Sequence, residues 1–102
     1  MSRVILKYAL HVTDGGQHAI PHGSFLLDMQ MQGDTPAMWW STPANPGPPD
    51  TWPLQTFLTA VTGPPGYTDG LHYIGTFQLG GFVGHVMSQE PVPRSLEEAV
   101  HA

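Results

Sequence analysis

The chain contains no cysteine. That absence excludes disulfides, thiolate nucleophiles and thiolate metal sites together, and it fits a reducing compartment. Basic residues are nearly as scarce, since Arg3, Lys7 and Arg94 stand against eight acidic residues for a formal charge of −5. Three scattered cations cannot assemble a phosphate-neutralising surface, so nucleic acid is not expected as a partner. Charged residues of both signs make up only 11% of the chain, far below the roughly 25% typical of soluble domains. Such a surface takes its polarity from Thr, Gln, Gly and Pro, and little charge repulsion keeps copies or partners apart. No apolar run approaches the roughly 18 residues of a membrane span, and the opening residues lack the apolar length and the small-residue cleavage site of a secretory signal. The expectation is a protein without membrane contact that stays in the cytoplasm where it is made.

The constellations of catalysis are missing too. There is no G-x-S-x-G elbow, the acidic residues are scattered through turns at Asp14, Asp34, Asp50 and Asp69, and the paired glycines sit where a hairpin turn alone explains them. An enzyme is therefore not expected, nor a cofactor.

What the chain has is 12 glycines, 11 prolines and 40% apolar residues in 102 positions, the composition of one turn-rich β domain. Residues 3–12 alternate, with Val4, Leu6, Tyr8, Leu10 and Val12 on one face, which predicts a half-buried strand. Asp14-Gly15-Gly16 predicts a hairpin turn, with a short strand over residues 18–21 folding back on the first. Residues 24–32 alternate again, placing Phe25, Leu27, Met29 and Met31 inward and Leu26 and Asp28 outward. Gly33-Asp34 predicts a two-residue turn into a strand over 37–42, in which adjacent Trp39 and Trp40 must point to opposite faces. Five prolines make residues 43–53 a semi-rigid loop. Residues 56–62 form the next strand, and residues 71–79 and 82–88 form a hairpin around Gly80-Gly81. Ser95 and Glu98 read as a capping box for a short helix whose Leu96, Ala99 and Val100 share a face. The architecture expected is mainly β: a small antiparallel β-sandwich or partly open barrel of six or seven strands in one domain over residues 1–89, followed by a tail, 90–102, with a short C-terminal helix. The tail can order only by burying apolar area, so Leu96 is expected to be largely buried, against the domain's own sheet near Trp40 or in a neighbouring chain.

The Lys7-Tyr8-x-Leu10 strand with its Val-Thr-Asp turn, Pro21-His22-Gly23 before the 25–32 strand, Trp39, Thr56-Phe57, and the closing Tyr73-Ile74-Gly75-Thr76-Phe77-Gln78 with His85-Val86 resemble a family of short uncharacterised proteins encoded by phages of actinobacteria. The resemblance covers roughly residues 3–88 and brings no established activity. It implies a phage origin and residence in the host cytoplasm or the virion. The Pro-rich loop and the tail depart from the family pattern.

Six histidines are the one compositional hint of chemistry. His11, His18 and His22 cluster around the first predicted hairpin and are the metal candidates, but no H-x-H, H-E-x-x-H or His-plus-carboxylate spacing supports them, and no metal is expected. His72 and His85 read as structural. Pro64-Pro65-Gly66-Tyr67 and the P-x-x-P beginning at Pro43 read as rigid loops. One tryptophan is left over once the core is filled, and Trp40 with Trp52 on the Pro-rich loop, joined by Leu96 and Val100 of the tail, are the interface candidates. The function expected is protein binding to a host or phage partner or to a second copy, as a homodimer, with a virion structural or capsid-associated role as the alternative and a small enzyme or metal-binding domain as a distant one.

Overall fold

The computed structural model describes residues 2–10, 16–62 and 69–101. Alternating apolar positions give seven strands among them: β1 (Arg3–Ala9), β2 (Gly16–Ala19), β3 (Phe25–Gln32), β4 (Thr35–Pro43), β5 (Leu54–Val61), β6 (His72–Leu79) and β7 (Phe82–Ser88). A 3-10 turn at Pro49–Thr51 interrupts the Pro-rich loop, and α1 (Leu96–His101) closes the chain. The strands form two antiparallel sheets, one of order β1-β4-β3 and one of order β2-β5-β7-β6, which pack as a sandwich and do not close into a barrel. Both glycine turns fall where the sequence places them. Gly33 (φ +64°) and Gly80 (φ +61°) take the left-handed backbone that a side chain would resist, joining Gln32 to Thr35 and Leu79 to Phe82.

The predicted first hairpin does not form. β2 pairs with β5, not with β1, and β1 pairs with β4, so the connection between β1 and β2 passes from one sheet to the other. The reason lies at the strand ends: Leu10 and Ile20 are both buried in the core, with Leu10 N–H donating to Pro36 O at 2.8 Å and Ile20 N–H to Pro53 O at 3.0 Å. Each strand is thereby drawn to a different partner. The proposed turn residues 14 and 15 lie outside the described residues, as do Val12 and the breaker 63–66 with Tyr67.

Strand β3 also departs from simple alternation. Leu26 pairs with Trp40 and Asp28 with Trp39, so Leu27 is the extra residue of a β-bulge. The bulge reverses parity in mid-strand: Leu26 is 1% exposed and Leu27 46%, the opposite of the expected pattern, while Met29 and Met31 still face inward.

The core fills the space between the sheets with Leu26, Met29, Met38 and Trp40 from one and Phe57, Ile74, Phe77 and Val86 from the other. Tyr8 ties the two sheets along one side, its hydroxyl donating to Ala19 O at 2.9 Å. Burial pushes the Tyr8 phenol above its ordinary 10.0. The fold thus favours the neutral, donating form, and its stabilisation is complete below pH 10 and is lost as pH rises from 10 through the raised value. Tyr8→Phe should cost about 1 kcal/mol, and the difference between native and variant ultraviolet titrations should be a phenol ionising above 10. A difference titrating at or below 10 would contradict this placement.

The opposite side is held by the tail, though not by the residues the sequence nominates. Leu96 is 49% exposed and Val100 63%, so the helical face buries neither against this chain's own sheets. Half of the capping box forms: Glu98 N–H donates to Ser95 Oγ at 3.1 Å, but the Glu98 carboxylate accepts from Arg94 N–H at 2.6 Å, one residue before the cap, rather than from Ser95 N–H. Docking is carried by the segment before the helix. Leu26 N–H donates to Pro93 O at 2.9 Å, Val92 packs on the core, and an Arg94 guanidinium nitrogen donates to Ile74 O at 2.7 Å and Tyr73 O at 3.3 Å. These bonds satisfy free backbone groups of β3 and β6, which makes them better anchors than a two-turn helix too short to stand alone. Deleting residues 96–102 should leave unfolding within about 0.5 kcal/mol of the full chain, whereas deleting 92–102 should cost about 1–2 kcal/mol through the lost charge-assisted bonds. Equal effects of the two deletions in urea melts would refute that division.

Candidate functional site

The most distinctive surface is the outer face of the three-stranded sheet. Its middle strand, β4, turns Pro36, Met38, Trp40 and Thr42 into the core and leaves Trp39 on the other side. Trp40, the interface candidate from sequence, is 0% exposed, its ring edge-on to Phe57 at 6.5 Å. It is a core residue and presents nothing to a partner. The tryptophan left over is Trp39, half-buried in the sheet face with Lys7 and Asp28 as its register partners. Ile5, 64% exposed, and Leu27, 46% exposed, lie on the strands to either side. The signal was in the strand itself, because Met38 shares parity with Trp40 whereas the same-side neighbours of Trp39 are Ala37 and Ser41.

The charged side chains of this face are bent back across it. Arg3 Nε donates to Ser41 Oγ at 2.8 Å, its Nη2 donates to Gly23 O at 2.7 Å and Ser41 O at 3.0 Å, and its guanidinium lies 5.0 Å from the centre of the Phe25 ring. Lys7 Nζ reaches over β4 to Gln32 Oε1 at 2.7 Å, and Asp28 accepts from Met29 N–H at 2.8 Å and Gln30 Nε2 at 2.5 Å. The face thus has an aromatic centre and apolar neighbours, with the Arg3, Lys7 and Asp28 side chains each hydrogen-bonded.

A second group of side chains crosses the outer face of the four-stranded sheet. His85 Nδ1 and Thr76 Oγ1 lie 2.8 Å apart, His85 Nε2 contacts Thr62 Oγ1, and Tyr73 OH contacts Thr76 Oγ1. Three strand regions thus supply one chain of hydroxyls around an imidazole. Both ring nitrogens are engaged, one donating and one accepting in the neutral ring. Among the described residues no carboxylate bonds to the ring, and the contacts link β6, β7 and the residue that follows β5.

The remaining sequence candidates do not converge. Trp52, half-buried, turns its indole N–H onto Gly47 O at 3.2 Å within the Pro-rich loop. It cannot form one surface with a buried Trp40. Leu96 and Val100 are exposed on α1. His18 lies between the rings of Tyr8 and Phe57, each 5.8 Å away, and lines a cavity of about 10 Å³ with Leu10, Thr59 and Val86. His22 is exposed in the turn before β3, and His11 lies outside the described residues. Among the described residues no three His, Asp or Glu side chains gather as a metal would require, and no helix is long and apolar enough to cross a membrane.

Residues 1–96 match the family model described as a domain of unknown function, DUF7352. No curated protein and no solved structure gives a significant match.

Proposed function

We propose, from the premise that the chain belongs to the DUF7352 family and that membership brings no activity with it, that this protein acts by binding another protein through the outer face of its three-stranded sheet. The observation that carries this reading is Trp39, held half-buried at the middle of that face between the exposed Ile5 and Leu27. Tryptophan concentrates binding energy when a partner completes its desolvation, and the surrounding residues then serve to exclude water. An enzymatic reading has no comparable support, because the Thr76–His85 chain lacks the groups that would make it catalytic. The likeness to proteins of actinobacterial phages supports an accessory role during infection in the host cytoplasm. The rival is a structural part of the virion.

The test is capture of host and phage proteins by the tagged chain, repeated with Trp39→Ala and with Thr76→Ala on the opposite sheet. A protein retained by the native chain and by Thr76→Ala but lost with Trp39→Ala supports the reading. Capture indifferent to Trp39 removes it. Mass spectrometry of purified particles decides the rival, since a structural component is present at stoichiometric abundance.

A further inference from the structure

The sandwich has four strand edges among its described residues, belonging to β1, β3, β2 and β6. Exposed edges are templates for other strands, and folded proteins cover or interrupt the ones they do not use. Here β3 gives its Leu26 N–H to Pro93, β6 carries a bulge after Tyr73 and gives two carbonyls to Arg94, and β2 is only four residues long. Among the described residues β1 has none of these devices. It runs seven residues without proline, glycine or bulge.

Its free backbone groups can be identified. Ala44 N–H donates to Ser2 O at 3.2 Å and Leu10 N–H to Pro36 O at 2.8 Å, at the two ends of the continuous β1–β4 register. In an antiparallel ladder the bonded positions alternate, so the even residues of β1 bond to β4. The odd residues Arg3, Ile5, Lys7 and Ala9 aim their N–H and C=O groups away from the sheet. The two cations on this edge, which would repel an approaching copy, are withdrawn from it: Arg3 is held on Ser41 and Gly23, and Lys7 on Gln32, all on the β4 and β3 side.

We infer that β1 is a self-pairing edge and that its occupant is β1 of a second copy, antiparallel about a two-fold axis at Leu6. That register places Ile5 opposite Lys7 of the second copy and Arg3 opposite Ala9, bonding the odd residues to one another while no two cations face directly. Centring the axis on Ile5 instead would set Arg3 against Lys7, the like-charge pairing that sheets avoid. Two three-stranded sheets thereby become one continuous six-stranded sheet, and the pairing is isologous, as a closed dimer requires. A different partner's strand is the competing occupant, but it would not need the cations withdrawn, since an acidic strand would be attracted by them.

The backbone groups of the edge are separate from the Trp39 side chain, so the two readings fail separately: Trp39→Ala should leave the dimer intact, and a native chain that stays monomeric can still capture a Trp39-dependent partner. The decisive variant is Lys7→Pro. It removes an N–H that β4 does not use, a substitution that edge strands tolerate. At tens of micromolar the native chain should sediment at twice 11.1 kDa and Lys7→Pro at the monomer mass, with an unchanged circular dichroism spectrum. A native chain that stays monomeric, or a folded Lys7→Pro that still dimerises, overturns the inference. Should the proline unfold the chain, hydrogen exchange on the native protein decides: the Ile5 and Lys7 amides must be protected at high concentration and lose that protection on dilution, and rapid exchange at all concentrations refutes the pairing.

Discussion

Trp40→Ala should remove a large part of the stability of this domain, about 3–5 kcal/mol out of the roughly 5–15 kcal/mol that holds a chain of this size. Trp40 is 0% exposed at the centre of β4, the strand flanked on both sides in its sheet, and its ring meets Phe57 of the opposing sheet edge-on. Its register partners are Leu6 on β1 and Leu26 on β3, so truncation opens a void beneath both neighbours at once. The surrounding backbone belongs to two ladders and cannot collapse to fill it. No described group accepts from its buried indole N–H, so the contribution is packing rather than hydrogen bonding. Trp40→Phe should accordingly lose less, because it removes an unpaired donor along with the second ring. Trp39→Ala, one residue away on the other face, should lower the unfolding free energy measured in urea by no more than about 1 kcal/mol. If the two alanine variants melt alike, the parity assigned to β4 is wrong and the binding face built on Trp39 falls with it.

That contrast marks how far the sequence could be read. Alternation locates β1, β3 and β4, and Gly33-Asp34 and Gly80-Gly81 locate two turns, because both signals are local. What local signals cannot carry is which sheet a strand joins. β2 follows a plausible turn sequence yet pairs with β5, a choice made by the burial of Leu10 and Ile20 on opposite sides of the connection. Nor does alternation survive a bulge, where one inserted residue exchanges the faces of Leu26 and Leu27. The helical face of the tail is its apolar signal, whereas the contacts that hold it are a proline carbonyl and a guanidinium on backbone oxygens, for which apolar patterning has no signal. The Thr62–His85–Thr76–Tyr73 group draws on three strand regions and forms no motif. Part of it was nonetheless within reach: counting outward from the Gly80-Gly81 turn places Thr76 opposite His85, and it also places Phe77 opposite Gly84, the pairs the structure contains.

The second of those pairs sets the other large effect. Gly84→Ala should cost about 2–3 kcal/mol, although adding a methyl group to a strand interior ordinarily helps by restricting the unfolded chain. The position has no unusual backbone, so the reason is space. A Cβ on Gly84 would lie 2.4 Å from Phe77 Cζ and 2.7 Å from its Cε1, with Phe82 Cε1 at 3.0 Å. The Phe77 ring crosses the glycine and packs on Phe82 at 5.9 Å, and at 3% exposure it has no solvent to retreat into. Gly75 is the internal control. Its nearest neighbour for an added Cβ is Met29 Cε at 2.8 Å, the end of a flexible side chain, so Gly75→Ala should cost under about 1 kcal/mol as the thioether swings aside. Phe77→Leu tests the cause directly. Shortening the ring is itself destabilising, but in its background Gly84→Ala should be close to neutral, giving a coupling energy on the order of 2 kcal/mol in a double-mutant cycle. Additive effects would mean that the ring and the glycine do not share this space, and a stabilised Gly84→Ala single variant would mean that Phe77 does not cross β7 at all.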